Sequence, residues 1–186
     1  SNQTFSWTPG FEQSGTYPNV AFRVTDASVL SDEKQVTIVV NHVNRQPVLA
    51  AVPAQTVSEQ QPLTFTLEGS DPDQEDTGKL QYSITNLPEG ATLVAESGAF
   101  SWTPGYDQSG SYTLNATVSD SAGLSSEIEI VVEVTNVNRP PVVQEIPPQT
   151  GQENQPLTIN LQFSDPDLED EGKLQVSAQG LPEGAT

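Results

Sequence analysis

Residues 126–134 read SEIEIVVEV, a stretch in which apolar and polar side chains alternate. Ile128, Ile130 and Val132 share one face, because side chains two positions apart in a strand point the same way. Similar short stretches recur along the chain between clusters of Gly, Pro, Asn and Asp, and helical spacing is rare. The pattern predicts an all-β fold with strands near residues 48–52, 63–67, 80–85, 99–103, 111–119 and 126–134.

The chain also repeats itself. The sequence FSWTPG occurs at residues 5–10 and again at 100–105, and SDPD occurs at 70–73 and again at 164–167. Self-similarity at a fixed spacing is typical of an array of like modules. We expect the C-terminal half of a repeat in residues 1–43, a complete repeat in residues 44–137 and the N-terminal half of the next repeat in residues 138–186.

The composition restricts the partners. The chain has 25 acidic and 6 basic residues, for a net charge of -19. Such a surface repels nucleic acid phosphates and anionic membranes, so we expect no nucleic acid partner. No window holds the roughly 18 consecutive apolar residues of a membrane-spanning helix, so we also expect no membrane insertion. Divalent cations, glycans, or only water and counterions are left as partners of the acidic surface.

Several motifs together resemble a known group of proteins. They are PLTF at 62–65, SDPD at 70–73, LPEGA at 87–91, FSWTP at 100–104, VSD at 118–120 and VTNVNRPPV at 134–142. These stretches resemble the cadherin-like and immunoglobulin-like tandem repeats of large bacterial surface or secreted proteins. The resemblance implies tandem β-sandwich modules of the immunoglobulin or cadherin type, with a period of about 94 residues.

Members of this group often bind calcium where consecutive modules meet. Calcium takes about six to eight oxygen ligands, several of them anionic. The resemblance implies one ion at each junction, with the linker Asn and the Asp residues of the following module as ligands. These are Asn44, Asp71, Asp73 and Asp120 at the first junction, and Asn138, Asp165 and Asp167 at the second.

Both linkers depart from the calcium-binding pattern, Asp-Val-Asn-Asp-x-Pro. They read HVNRQP at 42–47 and NVNRPP at 136–141, so Arg45 and Arg139 stand where an Asp is expected. Arginine offers only hydrogen-bond donors and a fixed positive charge, so it would occupy the place of an ion. One alternative to calcium is therefore ion pairing of these arginines with carboxylates, for which the acidic candidates are Glu59, Glu153 and Asp107. A further alternative is that the Asp residues only form turns, as Asp-Pro-Asp commonly does.

No catalytic constellation is visible in the sequence. His42 is the only histidine, and its place in a linker makes it a poor member of a catalytic triad or a zinc site. Acidic pairs lie on repeated turns, and a glycosidase pair copied into every module would be unusual. We predict that the chain is not an enzyme.

Tandem repetition and short Pro-containing linkers predict a structural extender, or spacer, in a repetitive bacterial cell-surface or secreted adhesin. We expect it to be extracellular, to contact neighbouring modules of the same chain, and to be stiffened by calcium if the junction sites bind it. An alternative is a carbohydrate-binding accessory module of a secreted polysaccharide-degrading protein, with Tyr106 and Phe11 as the candidate glycan contacts. A second alternative is a homotypic adhesion module.

The two half-repeats raise a further hypothesis. Each half alone would expose core residues and unpaired strand edges, which invite pairing with another chain. The hypothesis is that the halves of different molecules combine into a complete sandwich and so cause self-association. The alternative is that the protein continues at both ends.

Overall fold

The computed structural model describes residues 3–167 and 170–185, which form strands and two short 3-10 turns, Phe11–Gln13 and Gln74–Asp76. No helix in this part of the chain is long and apolar enough to cross a membrane. The strands are β1 Gly15–Thr25, β2 Ser31–Val40, β3 Val48–Leu49, β4 Gln55–Ser58, β5 Leu63–Thr66, β6 Gly69–Ser70, β7 Gln81–Thr85, β8 Thr92–Leu93, β9 Ala99–Trp102, β10 Gly110–Ser119, β11 Ser125–Thr135, β12 Val142–Val143 and β13 Phe163–Ser164.

Strands β3 to β11 form a β-sandwich. One sheet has four strands in the order β4-β11-β10-β7, and the other has three in the order β5-β9-β8. β10 and β11 pair antiparallel along their whole length, from Gly110 opposite Val134 to Ser119 opposite Ser125. β4 joins β11 in parallel, and β3 pairs antiparallel with β6. The all-β prediction and the immunoglobulin-like or cadherin-like sandwich are confirmed.

The core lies between these two sheets. Alternation along β10 and β11 buries one face of each strand, and that face carries the apolar side chains. Burial of a large apolar side chain stabilises the fold by about 1.5–3 kcal/mol. The buried apolar residues are Leu49, Val57, Leu63, Leu67, Phe100, Trp102, Leu114, Ala116, Val118, Ile130, Val132 and Val134.

Trp102 is a core residue with a partner for its polar atom. Its side chain is 1% exposed, and its indole N–H donates to the Glu89 carbonyl over 3.1 Å. The Tyr112 ring meets it edge-on, at 4.9 Å between ring centroids. In the N-terminal part of the chain, Trp7 of the segment before β1 meets Tyr17 of β1 in the same edge-on way, at 5.1 Å between ring centroids. Both indoles therefore serve packing.

All six predicted strands are present, although the one expected at 48–52 is reduced to Val48–Leu49. Within residues 44–137, three further strands were not predicted, namely β4, β6 and β8. They are two to four residues long, too short for alternation to show. The loops after β6 and β10 lie at the end of the sandwich that the first linker contacts, and the loops after β4 and β9 lie where the second linker begins.

Candidate functional site: an arginine at each linker

The loop after β6 gathers three carboxylates. The Asp73 backbone N–H donates to Oδ1 of Asp71 over 2.7 Å, which is the local hydrogen bond that favours Asp in turns. The following 3-10 turn brings in Asp76, which accepts hydrogen bonds from the backbone N–H and hydroxyl of Ser121. One carboxylate oxygen from each of Asp71, Asp73 and Asp76 lies within 4.8 Å of the others. Asp73 and Asp76 are each only 1% exposed.

Arg45 of the first linker satisfies both oxygens of Asp73. Its backbone N–H donates to Oδ2 over 2.7 Å, and its Nε–H donates to Oδ1 over 2.6 Å. The terminal NH2 group of the same guanidinium donates to the Pro72 carbonyl over 2.6 Å. Hydrogen bonds of a charged donor to a charged acceptor are the strong class, so this loop and the linker are fixed to each other.

The same guanidinium also contacts the chain segment that precedes β1. Its NH2 group donates to Oε1 of Glu12 over 2.7 Å, and its central carbon lies 4.9 Å from the centre of the Phe11 ring. A guanidinium over an aromatic face is an attractive cation–π contact. Arg45 therefore joins the N-terminal segment to the loop after β6 of the sandwich.

Arg139 repeats these contacts at the second linker, 94 residues later. Its backbone N–H and Nε–H donate to the two oxygens of Asp167, the second over 2.6 Å. Its NH2 group donates to the Pro166 carbonyl over 2.6 Å and to Oδ1 of Asp107 over 2.7 Å. The guanidinium lies 4.8 Å from the centre of the Tyr106 ring. The sandwich is thus linked to the following segment as it is to the preceding one.

The electrostatics of both pairs favour the charged forms. Burial disfavours the charge of Asp73, but hydrogen bonds from the backbone and side chain of Arg45 outweigh it, and the pKa of Asp73 falls below its ordinary value of 3.8. The backbone and side chain of Arg139 likewise lower the pKa of Asp167. Hydrogen bonds to Asp73 and Glu12 raise the pKa of Arg45. Each arginine–aspartate pair is therefore fully ionised at neutral pH.

Asn44 makes a second tie between the first linker and the sandwich. Its side-chain amide donates to Oδ2 of Asp120 over 2.7 Å, while Oδ1 of Asp120 accepts the backbone N–H groups of Ala122 and Leu124. Burial raises the pKa of Asp120, but these hydrogen bonds, that of Asn44 first, bring it below 3.8. In the second linker, Asn138 donates instead to the carbonyl of its neighbour Arg139 over 3.2 Å.

The three acidic candidates for ion pairing lie in different environments. Asp107 pairs with Arg139, whereas Glu153 is exposed. Glu59 is fully buried and forms no ion pair among residues 3–167 and 170–185. Its Oε1 accepts the backbone N–H groups of Gln108 and Ser109, and its Oε2 accepts that of Val137 over 2.9 Å. Glu59 therefore fastens the start of the second linker to the sandwich.

The hydrogen bonds around the carboxylates test whether calcium suits the first site. Calcium binds carboxylate and carbonyl oxygens directly. Arg45 occupies both oxygens of Asp73, and Asn44 and backbone amides occupy those of Asp120. Only Oδ2 of Asp71 is buried without a hydrogen-bond partner in the described cluster. The expected ligand set is largely used by protein donors and does not fit an ion at the position of the guanidinium.

Sequence reasoning missed three contributors. Glu12 occupies the same place in FEQ, residues 11–13, as Asp107 does in YDQ, residues 106–108. Comparison of the two repeats could therefore have identified Glu12 as a partner of Arg45. Asp76 has a signal in the spacing from Asp71 and Asp73. His42 lies 3.4 Å from Oδ2 of Asp73 and 3.1 Å from Oε1 of Glu75, and nothing in its sequence context indicates these contacts.

Comparisons with known proteins agree with the fold. Residues 46–135 match the family model described as "Putative Ig domain". Among solved structures, the chain is similar to cadherin extracellular domains. They are protocadherin gammaB7 EC3-6 in a cis-dimer structure (26% identity, TM-score 0.52, 74% of this chain and 38% of that one), the protocadherin gammaB4 extracellular domain (24%, 0.51, 84% and 30%) and human CDH23 EC21-23 (20%, 0.51, 81% and 54%).

This chain thus spans from 30% to 54% of the length of those three. No curated protein sequence matches it.

Proposed function

Since residues 46–135 match an immunoglobulin-like family model and the fold is similar to cadherin extracellular domains, we propose that the chain is a structural extender of a repetitive, extracellular cell-surface or secreted adhesin. Its partners are the neighbouring modules of its own chain, and its task is to hold them in a fixed arrangement. A complete module occupies residues 44–137 in this proposal, with half-modules in residues 1–43 and 138–186.

One observation carries the proposal. Arg45 and Arg139 make the same set of contacts at the two linkers, and each links the segment before it to the Asp-Pro-Asp loop after it. A spacer transmits geometry only if each module is fixed to the next, because a freely jointed string collapses. Repetition of one linking device at both ends of the sandwich is what such a spacer requires.

The chemistry of the buried carboxylates supports a role without catalysis. A general acid or base must have a free oxygen or proton within reach of a substrate. Here the carboxylate oxygens of Asp73, Asp120 and Glu59 instead accept hydrogen bonds from N–H groups of the protein itself. We infer that they hold linkers and loops and act on no substrate.

Calcium is the alternative means of stiffening, and one observation favours it. Oδ2 of Asp71 is a buried acceptor without a hydrogen-bond partner, within the cluster of Asp71, Asp73 and Asp76. In the loop after β13, which contacts the second linker, Asp165, Asp167 and Asp170 form a similar cluster. Calorimetric titration with calcium, repeated on Asp71→Asn, tests this alternative. Heat that disappears in the variant supports an ion there, and the absence of heat up to millimolar calcium excludes it.

Carbohydrate binding is a second candidate function. Tyr106 is 40% exposed and Phe11 is 59% exposed, and exposed rings stack on sugars. The two rings lie at different linkers rather than in one row, and each has an arginine near its face. Affinity electrophoresis through soluble polysaccharides, with Tyr106→Ala as the variant, separates the candidates, since a spacer shows no retardation in either form.

Small-angle X-ray scattering of the intact chain tests the extender role. A spacer predicts a curve that one elongated arrangement fits, in low and high salt alike. A curve that requires a broad ensemble of orientations between the N-terminal segment and the sandwich would overturn it.

A further inference from the structure

We propose that the arginine guanidinium is the resident cation of each linker and takes the place of a metal ion there, so that the junctions assemble without metal. This inference rests on the proposed spacer function and names its mechanism. It follows from four observations at Arg45, which are the oxygens it binds, the burial of its partner, its contacts to the segment before it, and the recurrence of the whole arrangement at Arg139.

The Arg45 guanidinium contacts three oxygens, which are Oδ1 of Asp73, the Pro72 carbonyl and Oε1 of Glu12, at 2.6–2.7 Å. Carboxylate and backbone carbonyl oxygens from separate segments are the donor set that hard cations take in proteins. Here N–H groups of a guanidinium fill that set. Because the three oxygens come from both sides of the linker, the arginine joins the segments as a shared ion would.

The Asp73 side chain is fully buried, and a buried carboxylate needs an opposite charge and hydrogen-bond donors to remain ionised. Arg45 supplies both, because its guanidinium stays protonated in proteins and its Nε–H lies 2.6 Å from Oδ1. A divalent ion bound to the same carboxylate would lie beside this fixed positive charge and be repelled. Unlike an ion, the side chain cannot dissociate from the chain.

Arg139 meets Asp167, Pro166 and Asp107 with the same atoms as Arg45 meets Asp73, Pro72 and Glu12. An aromatic ring, Phe11 or Tyr106, lies near each guanidinium at 4.9 or 4.8 Å. A planar delocalised cation stacks on an aromatic ring, which a hydrated metal ion does not match in the same way. The aromatic ring beside each guanidinium therefore also suits an arginine better than a metal ion.

The experiment measures the distance across the first linker in the full chain. The chain has no cysteine, so spin labels can be placed at Ser28→Cys on the N-terminal hairpin and Ser83→Cys on β7, which are both exposed. Pulsed electron–electron double resonance then gives the distribution of distances between the two spin labels, in millimolar calcium and in chelator. The variants are Arg45→Ala, which removes the cation, and Arg45→Lys, which keeps the charge without the planar fork.

The matched control is Arg23→Ala. Arg23 lies on β1, in the hairpin that carries the Ser28 label, and donates to the Ser31 hydroxyl over 2.6 Å. Its replacement therefore removes the same charge as Arg45→Ala without affecting the linker. We expect a narrow distribution in the unsubstituted chain, equal in calcium and in chelator, and unchanged by Arg23→Ala. Arg45→Ala should lose the narrow distribution in both solutions, and Arg45→Lys should restore it only in part.

Two results would overturn the inference. A distribution that is narrow in calcium and broad in chelator would make a metal ion the organiser while leaving the spacer function intact. A narrow distribution that survives Arg45→Ala would remove arginine from that role. A broad distribution in the unsubstituted chain under both conditions would contradict the spacer function itself.

Discussion

The Nε–H of Arg45 donates to Oδ1 of Asp73 over 2.6 Å, while the backbone N–H of the same arginine donates to Oδ2. One residue of the linker thus satisfies a whole buried carboxylate. Because the backbone takes part, both the position of the linker and the direction of the side chain are fixed relative to the sandwich. This pair is the central element of the proposed spacer.

Asp73→Asn should lower the melting temperature of the sandwich. The amide keeps the size of the side chain, but it removes the negative charge and puts an NH2 group opposite one of the two Arg45 donors. Differential scanning calorimetry measures the effect. Glu127→Gln, an exposed change of the same charge on β11, serves as the control and should leave the melting temperature nearly unchanged. Equal melting temperatures in the two variants would contradict the role given to Asp73.

Acid should destabilise the chain in a defined window. The pKa values of Asp73, Asp120 and Asp167 lie below 3.8 in the folded chain, so the unfolded chain takes up these protons at higher pH than the folded one. Stability therefore rises with pH across this window. The contribution should be complete above pH 3.8 and disappear as the pH falls through the folded values.

Urea unfolding at a series of pH values measures this dependence. The midpoint should be insensitive to these groups near neutral pH and fall in the acid range, and the fall should be smaller in Asp73→Asn. If the urea midpoint of Asp73→Asn fell with decreasing pH as steeply as that of the unsubstituted chain, Asp73 would not contribute to the pH dependence.

Glu59→Gln should destabilise the sandwich by about 1–3 kcal/mol, the cost of leaving a buried hydrogen-bonding group unsatisfied. In glutamate both carboxylate oxygens accept backbone N–H groups, for example Oε2 that of Val137. In glutamine an NH2 group replaces one of these oxygens, so a donor would face a donor and that hydrogen bond would be lost. Denaturant unfolding measures the loss. The matched control is Glu153→Gln, the corresponding residue 94 positions later, which is exposed and should be neutral. A neutral Glu59→Gln would show that the fastening is dispensable.

Leu114→Ala should cost about 2–5 kcal/mol, because the side chain is fully buried between the sheets and its removal leaves a cavity. Val131→Ala is the control on the adjacent strand, where the side chain is 45% exposed. Both are measured by urea unfolding of the intact chain. A loss in Leu114→Ala no larger than that in Val131→Ala would place the core elsewhere.

The sequence was a good guide to the sandwich because its long strands alternate strictly. In β11, Ile130, Val132 and Val134 face the core and the residues between them face solvent, and that period needs no tertiary information. Strand β8, Thr92–Leu93, has too few residues for any period, and only its pairing with β9 defines it.

The contacts at the linkers were less predictable, because the interacting residues are far apart in the sequence or interact through backbone groups. The linker pattern showed that Arg45 stands in an Asp position, but not that its backbone and side chain meet the same carboxylate 28 residues away. The acceptors of Glu59 bind backbone N–H groups, which every residue except proline has, so no residue type indicates them. Such contacts depend on how loops meet at the ends of the sandwich.

The most direct test of the central claim is the melting temperature of the intact chain, measured by scanning calorimetry in millimolar calcium and again in chelator. An ion that binds only the folded state raises stability by about 2.7 kcal/mol at a hundred times its dissociation constant, so binding would be visible. If Arg45 and Arg139 are the resident cations, the two melting curves should coincide. A melting temperature that is clearly higher in calcium would contradict the account.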